Sequence, residues 1–448
     1  MKEQADRMAV RLEELIDRCL KGGASDADAS VGRGQGISVE VRDGALENLE
    51  RTESEGVSLR CLVGHRQANV SGSDLSDEGL KALAERCVAM AKAAPEDPYC
   101  GVAPETDLIT DPPMLDLLGD PEPDPQTLEQ DALAAEASAL AVNGVDHVSS
   151  CGNGWQSAER WVCSSNGFSS YRASGSTGLG LAAVAREGDA MERDYESRTV
   201  RKLEDRPTPQ EIGQIAAERA VARLGPKSIK TQKGAVVFDR RVAGSLLGPL
   251  LSAISGPSIA RGVSFLKDHL GKQIFPKGTM IWDDPFRDRG MGSRAHDGEG
   301  RAVAKRALID DGVLGEWLLN GPSAKQLGLR PNGYASGGFG RPPGVGTSNV
   351  HLEAGSKSID AMLSDVGSGL IVKDMFGPSI NPNTGDYSVG VAGFWFEKGE
   401  IVHPVSEVTI AGTLIDMYSR LQVASDLELR GTRDAPSILI EGLSIAGD

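Results

Sequence analysis

Alternating apolar residues, cut short by glycine turns, constrain this chain more than any other feature. Ile37, Val39 and Val41 alternate with polar residues, Asp43-Gly44 follows, and a second alternation runs through Val57, Leu59, Cys61 and Val63. A period of two puts one side of a strand into a core. Asp-Gly supplies the positive φ angles that a tight hairpin turn demands. The stretch between the alternations, "ALENLERTESEG", is charged throughout and predicts an exposed strand. The same turn chemistry returns at Asn166-Gly167 and at Glu187-Gly188-Asp189, predicting further hairpins. With 55 glycines and 4% aromatic residues, the chain is built for tight turns and β-structure.

Helices frame these hairpins. Met8, Leu12, Leu15, Ile16 and Leu20 fall on one face of an amphipathic N-terminal segment. Leu80, Leu83, Cys87 and Val88 give a second helix its buried face, with Ser76 as N-cap. A third helix is expected over 128–141. In "RPTPQEIGQIAAERAVARLG", Thr208 is the N-cap, Pro209 the first helical position, Glu211 closes a capping box and Gly225 ends the helix. Between Pro95 and Pro125 stand eight prolines among many acids, which reads as a linker or an extended wrap. The expected division is an N-terminal α+β unit over 1–95, a linker over 96–126, a middle α+β hairpin unit over 127–228 and a β-rich region over 229–448. The last region opens with the strand "GAVVFD" and a small-residue helix, "GSLLGPLLSAISGPS", after which only "TLIDMYSRLQVAS" reads as helical. The fold class is α+β: N-terminal sandwich-like α+β units, then a larger, Gly-rich, mostly antiparallel β domain.

The formal net charge of −17 argues against a nucleic-acid backbone as partner, since such binders carry a basic face. No apolar run reaches membrane-spanning length, and the N-terminus lacks the apolar core of a signal peptide. Six cysteines without CxxC spacing predict reduced thiols and a cytoplasmic location. "GRGQG" and "GLGLAA" brush against a dinucleotide fingerprint, but that motif needs a strand before it and a helix after it; turn chemistry is the better reading. "SGSTG" misses a nucleophile elbow at its first residue. No two of the six histidines lie within five residues of each other, so no helical zinc pair exists. His351, beside Glu353 in a Gly-flanked polar segment, is the histidine to watch. Asp374 and Asp386, clustered with Asn381, are paired acids that could serve acid/base work; a Pro/Asn/Gly turn with side-chain caps explains all three more cheaply.

Three segments in order, "LLGPLLSAISGPSIARGVSFLKDHLGKQIFP", "FGRPPGVGTSNVHLEAG" and "GDYSVGVAGFWFEKGEIVHPVSEVTIAGTL", resemble the TldD/PmbA family, and their detail resembles its PmbA (TldE) branch. The resemblance spans nearly the whole chain. It implies a cytoplasmic protein of a family once labelled modulator of DNA gyrase. In that family the TldD branch is a metallopeptidase with a HExxxH helix and a C-terminal Cys as a further zinc ligand. TldD-type and PmbA-type chains pair into a heterodimer that degrades unfolded peptides. Aligned at Gly256, Gly262 and Ser264, the first His position falls on Leu247, the Glu on Gly248 and the second His on Ser252, and no Cys follows Cys163. With ligands and base missing together, the zinc–hydroxide route is closed to this chain. Two residues five apart sit about 140° apart on an ideal helix, so HExxxH needs a local distortion. Here Leu246, Leu247, Leu250 and Ile254 instead make an ordinary apolar stripe.

The resulting expectation is a non-catalytic subunit with no catalytic residue, metal or cofactor of its own, zinc being held by a TldD-like partner. Its substrate would be a peptide or unfolded protein, clasped as an extended strand, with no role for nucleic acid or membrane. Gly337, Gly338, His351, Glu353 and Asp386 are the candidate substrate-binding residues. Two other readings stand beside it: a homodimeric peptide- or protein-binding module without hydrolysis, and a stand-alone hydrolase with an atypical metal site.

Overall fold

Helix α1 (Lys2–Lys21) leads into a long hairpin, β1 (Asp26–Arg42) and β2 (Ala45–Val63), in the computed structural model, which describes residues 2–447; Met1 and Asp448 lie outside the described residues. Asp43 and Gly44 both take positive φ at the hairpin turn. Strand β3 (Arg66–Gly72) and helix α2 (Asp77–Ala93) follow, with the Ser76 hydroxyl accepting from the Gly79 N–H. Helix α3 (Pro125–Leu140), strands β4 (Val145–Ser164), β5 (Ser169–Glu187) and β6 (Ala190–Val200) and helix α4 (Pro209–Ala222) complete the first half. The capping box at Thr208 and Glu211 is formed in both directions.

The six strands make one antiparallel sheet, ordered β3-β2-β1-β4-β5-β6. The sheet runs through both of the expected N-terminal stretches, joined where β1 pairs β4 from Asp28↔Ser164 to Val41↔Cys151. One face takes all four helices. Ala29, Val31, Leu59 and Trp161 pack against α1 and α2; Ile37, Val39, Leu179 and Leu181 pack against α3 and α4. Met8, Leu12, Leu15 and Ile16 are buried as the pattern requires, but Leu20 stays exposed because Cys19 takes the inward position in the last turn. The alternate residues, Ser30, Gly32, Gly34, Arg160 and Arg172 among them, face the other side. The proline-rich stretch wraps rather than dangles: Cys100, Ala103 and Leu117 are buried in it, and the Trp155 indole N–H donates to the Asp120 carbonyl at 2.9 Å.

The C-terminal half opens with β7 (Gln232–Phe238), then short helices α5 (Arg240–Ala243), α6 (Leu247–Ala253) and α7 (Gly256–Ala260). Next come β8 (Ile281–Asp283), β9 (Arg306–Asp310), β10 (Val313–Leu314), α8 (Gly321–Leu327), β11 (Ala335–Gly337), β12 (Pro343–Val345), β13 (Val350–Leu352) and α9 (Ile359–Val366). The chain closes with β14 (Ser368–Ile380), β15 (Asp386–Glu397), β16 (Glu400–Thr413), α10 (Leu414–Arg420), β17 (Gln422–Val423), β18 (Arg433–Asp434) and β19 (Ile438–Ala446). The main sheet is ordered β16-β15-β14-β7-β19-β17, and an added β16–β19 pairing closes it on itself. Its interior is apolar, with Val236, Phe238, Leu370, Val391, Ile410 and Ile440 all buried. The architecture is α+β with mostly antiparallel β structure; β7–β14 and β13–β18 are parallel.

Two expectations about helices fail here. The small-residue helix is not one rod: a 3₁₀ turn over Gly244–Leu246 precedes α6, and Ser255 is extended where it bridges to Leu318. And α8 and α9 stand where no helix was expected. Both are short and capped locally, α8 by Asn320 with Ser323 and α9 by Ser358, so too few turns exist to show a period. Among the described residues no helix is long and apolar enough to cross a membrane.

Candidate functional site

The segment aligned with the HExxxH helix is packed by its own side chains. The Asp239 carboxylate caps the Arg241 N–H and pairs with Lys373. Burial works to raise the Asp239 carboxyl, but the positive Lys373 and the capped N–H outweigh it and hold it below its ordinary value. Leu246, Leu247, Leu250 and Ile254 are all buried in the main core. The Tyr418 hydroxyl donates to the Leu246 carbonyl at 2.9 Å. Gly244 lies so close to the Arg433 carbonyl that a Cβ would sit 2.6 Å from it, and one on Gly248 would sit 3.0 Å from the Arg433 guanidinium. Leu247 points into the core while Ser252 is exposed, so the two positions do not converge on one ion. Apolar and hydroxyl side chains offer zinc no ligand set, and these residues do not fit the metal. Among the described residues no group of three His, Cys, Asp or Glu side chains is placed to hold an ion.

The candidate substrate residues fall in three places. His351 and Glu353 come together around Trp282: His351 pairs with it across strands, and its indole N–H donates to Glu353 at 3.2 Å. Burial, then the positive charges of Arg287 and Lys305, lower the His351 pKa. Asp386 is apart from them at the start of β15, exposed, accepting from the Thr384 hydroxyl at 2.6 Å. In the same turn the Asn381 side chain accepts from the Asn383 N–H, a local cap. Asp374 is farther along β14 and meets Arg223 at 3.3 Å. Gly337 ends β11 and Gly338 opens the turn after it, both with positive φ. Their close approach is to the chain itself: a Cβ on Gly338 would fall 1.8 Å from the Gly298 carbonyl. That space is filled.

What this turn does is clamp onto the open face of the six-stranded sheet. The Gly340 N–H donates to Asp28 at 2.6 Å, the Ser30 hydroxyl donates to the Phe339 carbonyl at 3.0 Å, and Arg160 donates to the Gly338 carbonyl at 3.1 Å. Phe339 is buried, stacked on Phe168 at 5.2 Å. Beside the clamp a groove of about 730 Å³ runs over the sheet. Its floor is mostly Gly and Ser from β1, β2, β3 and β5, and its walls include Arg160, Arg172 and Arg341. The alignment of arginines was missed by sequence reasoning. The signal existed: Arg160 and Arg172 stand symmetrically about Asn166, so the hairpin sets them directly opposite each other.

Comparison with known proteins follows this geometry. The models of the PmbA/TldA metallopeptidase domain 1, central domain and C-terminal domain match residues 27–91, 119–224 and 231–447. The chain is 35% identical to Metalloprotease PmbA of Escherichia coli O157:H7, over 97% of this chain and 96% of that protein. It is 33% identical to the Metalloprotease PmbA homolog of Haemophilus influenzae, over 100% and 98%. Among solved structures, a Bacteroides thetaiotaomicron protein described as a modulator of DNA gyrase superposes with a TM-score of 0.90 at 26% identity, covering 98% of each chain. TldE from Thermococcus kodakarensis shares the fold, with a TM-score of 0.86 at 20% identity over 98% of this chain and 100% of that one.

Proposed function

The chain belongs to the PmbA/TldD metallopeptidase family, and from that premise we propose that it is a non-catalytic, PmbA/TldE-type subunit of a heterodimeric zinc metallopeptidase. The zinc and its activated water belong to a TldD-like partner. This chain closes the chamber and holds an unfolded peptide for cleavage. One observation carries the reading: the three positions aligned with the family's ligands and base hold Leu247, Gly248 and Ser252, and Leu247 is built into the core. Six buried thiols, all free, suit a reducing, cytoplasmic location.

Native mass spectrometry with metal analysis tests the reading, on this chain alone and co-expressed with a TldD-like sibling. The expected result is a metal-free lone chain, and a heterodimer holding one zinc that cleaves an unfolded peptide. A lone chain with stoichiometric metal and peptidase activity overturns it in favour of a stand-alone hydrolase. A homodimer that ignores the sibling and binds peptide without cutting it overturns it in favour of a binding module.

A further inference from the structure

The groove over the open sheet face has two properties that the fold does not need. The first is unmatched positive charge. Arg160 on β4 and Arg172 on β5 are directly opposed neighbours. Like charges in that relation destabilise a sheet. Arg160 at least spends its donors on the Gly338 and Phe339 carbonyls. Among the described residues no carboxylate pairs with Arg160, Arg172 or Arg341. Burial and the nearby charges of Arg341 and Arg172 lower the Arg160 pKa; burial and Arg294 lower that of Arg172. Arg33, which alternates to the opposite, helix-covered face of β1, is different: it pairs with Glu55 and lies over the Trp161 ring at 5.4 Å.

The second property is an excess of glycine in the floor. Gly32 is in the middle of β1, is exposed, and has no positive φ; a Cβ there would find nothing nearer than the Glu159 carbonyl at 4.0 Å. Gly56 and Gly72 on the neighbouring strands would meet only ordinary contacts, at 3.5 and 3.7 Å. Strand glycine weakens a sheet, and where neither dihedral nor packing requires it, the remaining reason is close approach of something from outside.

Together these features describe a shallow trough with a low floor and cationic walls. At Gly32 the floor strands β1 and β4 already pair on both sides in the sheet ladder, so a peptide lying over that point cannot join them by strand addition. Recognition must come from side chains. Arginine forks match carboxylates in a planar, bidentate way. A nucleotide would want a free aromatic platform, and Phe339 is consumed by its stack on Phe168.

We infer that this groove holds a carboxylate-bearing stretch of an extended peptide, lying over Gly32 with its anionic groups taken by Arg172 and Arg341. The inference rests on the peptide-holding role proposed above and adds to it a charge preference and a location. The formal net charge of −17 makes the preference local: an acidic peptide is favoured in the groove and repelled by the chain as a whole.

The test uses the full chain, without the sibling, and three labelled peptides of one length carrying Glu, Gln or Lys at alternate positions. Fluorescence anisotropy at low salt reads binding. The Glu peptide should bind at least about tenfold tighter than the Gln peptide, the size of one charge-assisted contact. The double variant R172Q/R341Q should erase that preference, while R33Q should keep it. Gly32→Val should weaken binding about tenfold while leaving the melting temperature equal or higher, because it adds a β-former where there is room for one. Equal binding of the three peptides overturns the proposal, as does a preference that survives R172Q/R341Q, or an oligonucleotide that displaces the Glu peptide and binds more tightly through the same arginines. Heterodimer assembly is read separately by native mass spectrometry. A chain that assembles with its sibling but shows no charge preference sinks the groove and spares the subunit reading; one that shows the preference but ignores its sibling does the reverse.

Discussion

Arg201 directly follows β6 and Arg172 sits on β5, the next strand of the same sheet, yet the protein treats the two guanidinium groups differently. Arg201 is 5% exposed and saturates itself with carbonyls: Leu117 of the proline-rich wrap at 3.0 Å, Gly175 of β5 at 3.1 Å, and Gly290 and Met291 of the C-terminal half at 3.1 and 3.3 Å. Arg294 spends its two terminal nitrogens in a similar way, donating to the carbonyls of Gly333, Ala335 and Gly346, but its buried Nε has no partner among the described residues. Arg201 thereby crosses the seam between the halves, whereas Arg294 ties segments of the C-terminal half to one another. Arg172 has no such set of acceptors. The difference separates structure from availability: a buried cation whose donors are all used holds chains together, whereas one left unmatched at a groove has its donors free for a ligand.

The largest effect should come from breaking the seam. Arg201→Met keeps most of the stem's volume but removes a donor from four carbonyls at once, of which Leu117 and Gly290 keep a backbone N–H each. Each unsatisfied buried acceptor costs about 1–3 kcal/mol, with partial relief from rearrangement. A loss of about 3–5 kcal/mol is expected, read as a shift in the urea midpoint at unchanged slope. A loss under about 1 kcal/mol would mean that the seam is held by its other contacts, the Arg241–Asp194 and Arg223–Asp374 pairs among them, and the contrast with Arg172 would collapse.

A smaller effect sharpens the same side of the comparison. Asp283 is buried in β8, its carboxylate accepting from the Ser348 N–H at 2.8 Å. Burial pushes its carboxyl up to about 6, against an ordinary 3.8; the Ser348 N–H and Arg294 pull the other way. The folded state therefore binds this proton more tightly than the unfolded chain. The stabilisation is full below the unfolded value of 3.8 and is lost as pH rises through about 6. Between pH 7 and pH 5 the native protein should gain roughly 1 kcal/mol relative to Asp283→Asn, which has no proton to take up. Parallel stability curves for the two proteins would show that Arg294 neutralises Asp283 completely, and that this buried pair carries no uncompensated charge.

Much of this architecture is legible in the sequence, and what is hidden has a physical reason. Local signals translate directly. Ser76 caps α2, Thr208 and Glu211 close their box, and Asp43-Gly44 and Asn166-Gly167 turn the hairpins they predict. Long-range pairings do not translate. Nothing near Asp28 announces that it will face Ser164 across more than a hundred residues of intervening chain. The β16–β19 contact that closes the main sheet is equally silent. Short helices such as α8 lack the length to show a period. For the candidate site the split is similar. The missing ligands at Leu247, Gly248 and Ser252 are visible once the family is aligned, whereas the groove arises only when a turn near Gly338 is laid on a sheet built from the other half of the chain.

The smallest expected effect bears most directly on the comparison. Arg172→Gln removes one of two like charges that stand opposite each other on paired strands. It also removes a guanidinium that burial, and then the neighbouring Arg294, already disfavour. If the side chain serves only the fold, its loss should cost something. If it is held for a ligand, its loss should cost nothing, and relief of the repulsion should return about 0.2–1 kcal/mol. The expected outcome is thus an unchanged or slightly higher urea midpoint, and a gain that shrinks as salt screens the Arg160–Arg172 pair. A loss of more than about 1 kcal/mol would place Arg172 with Arg201 among the groups that hold the protein together. Arg201→Met and Arg172→Gln, measured side by side, then report the two uses of arginine with opposite signs.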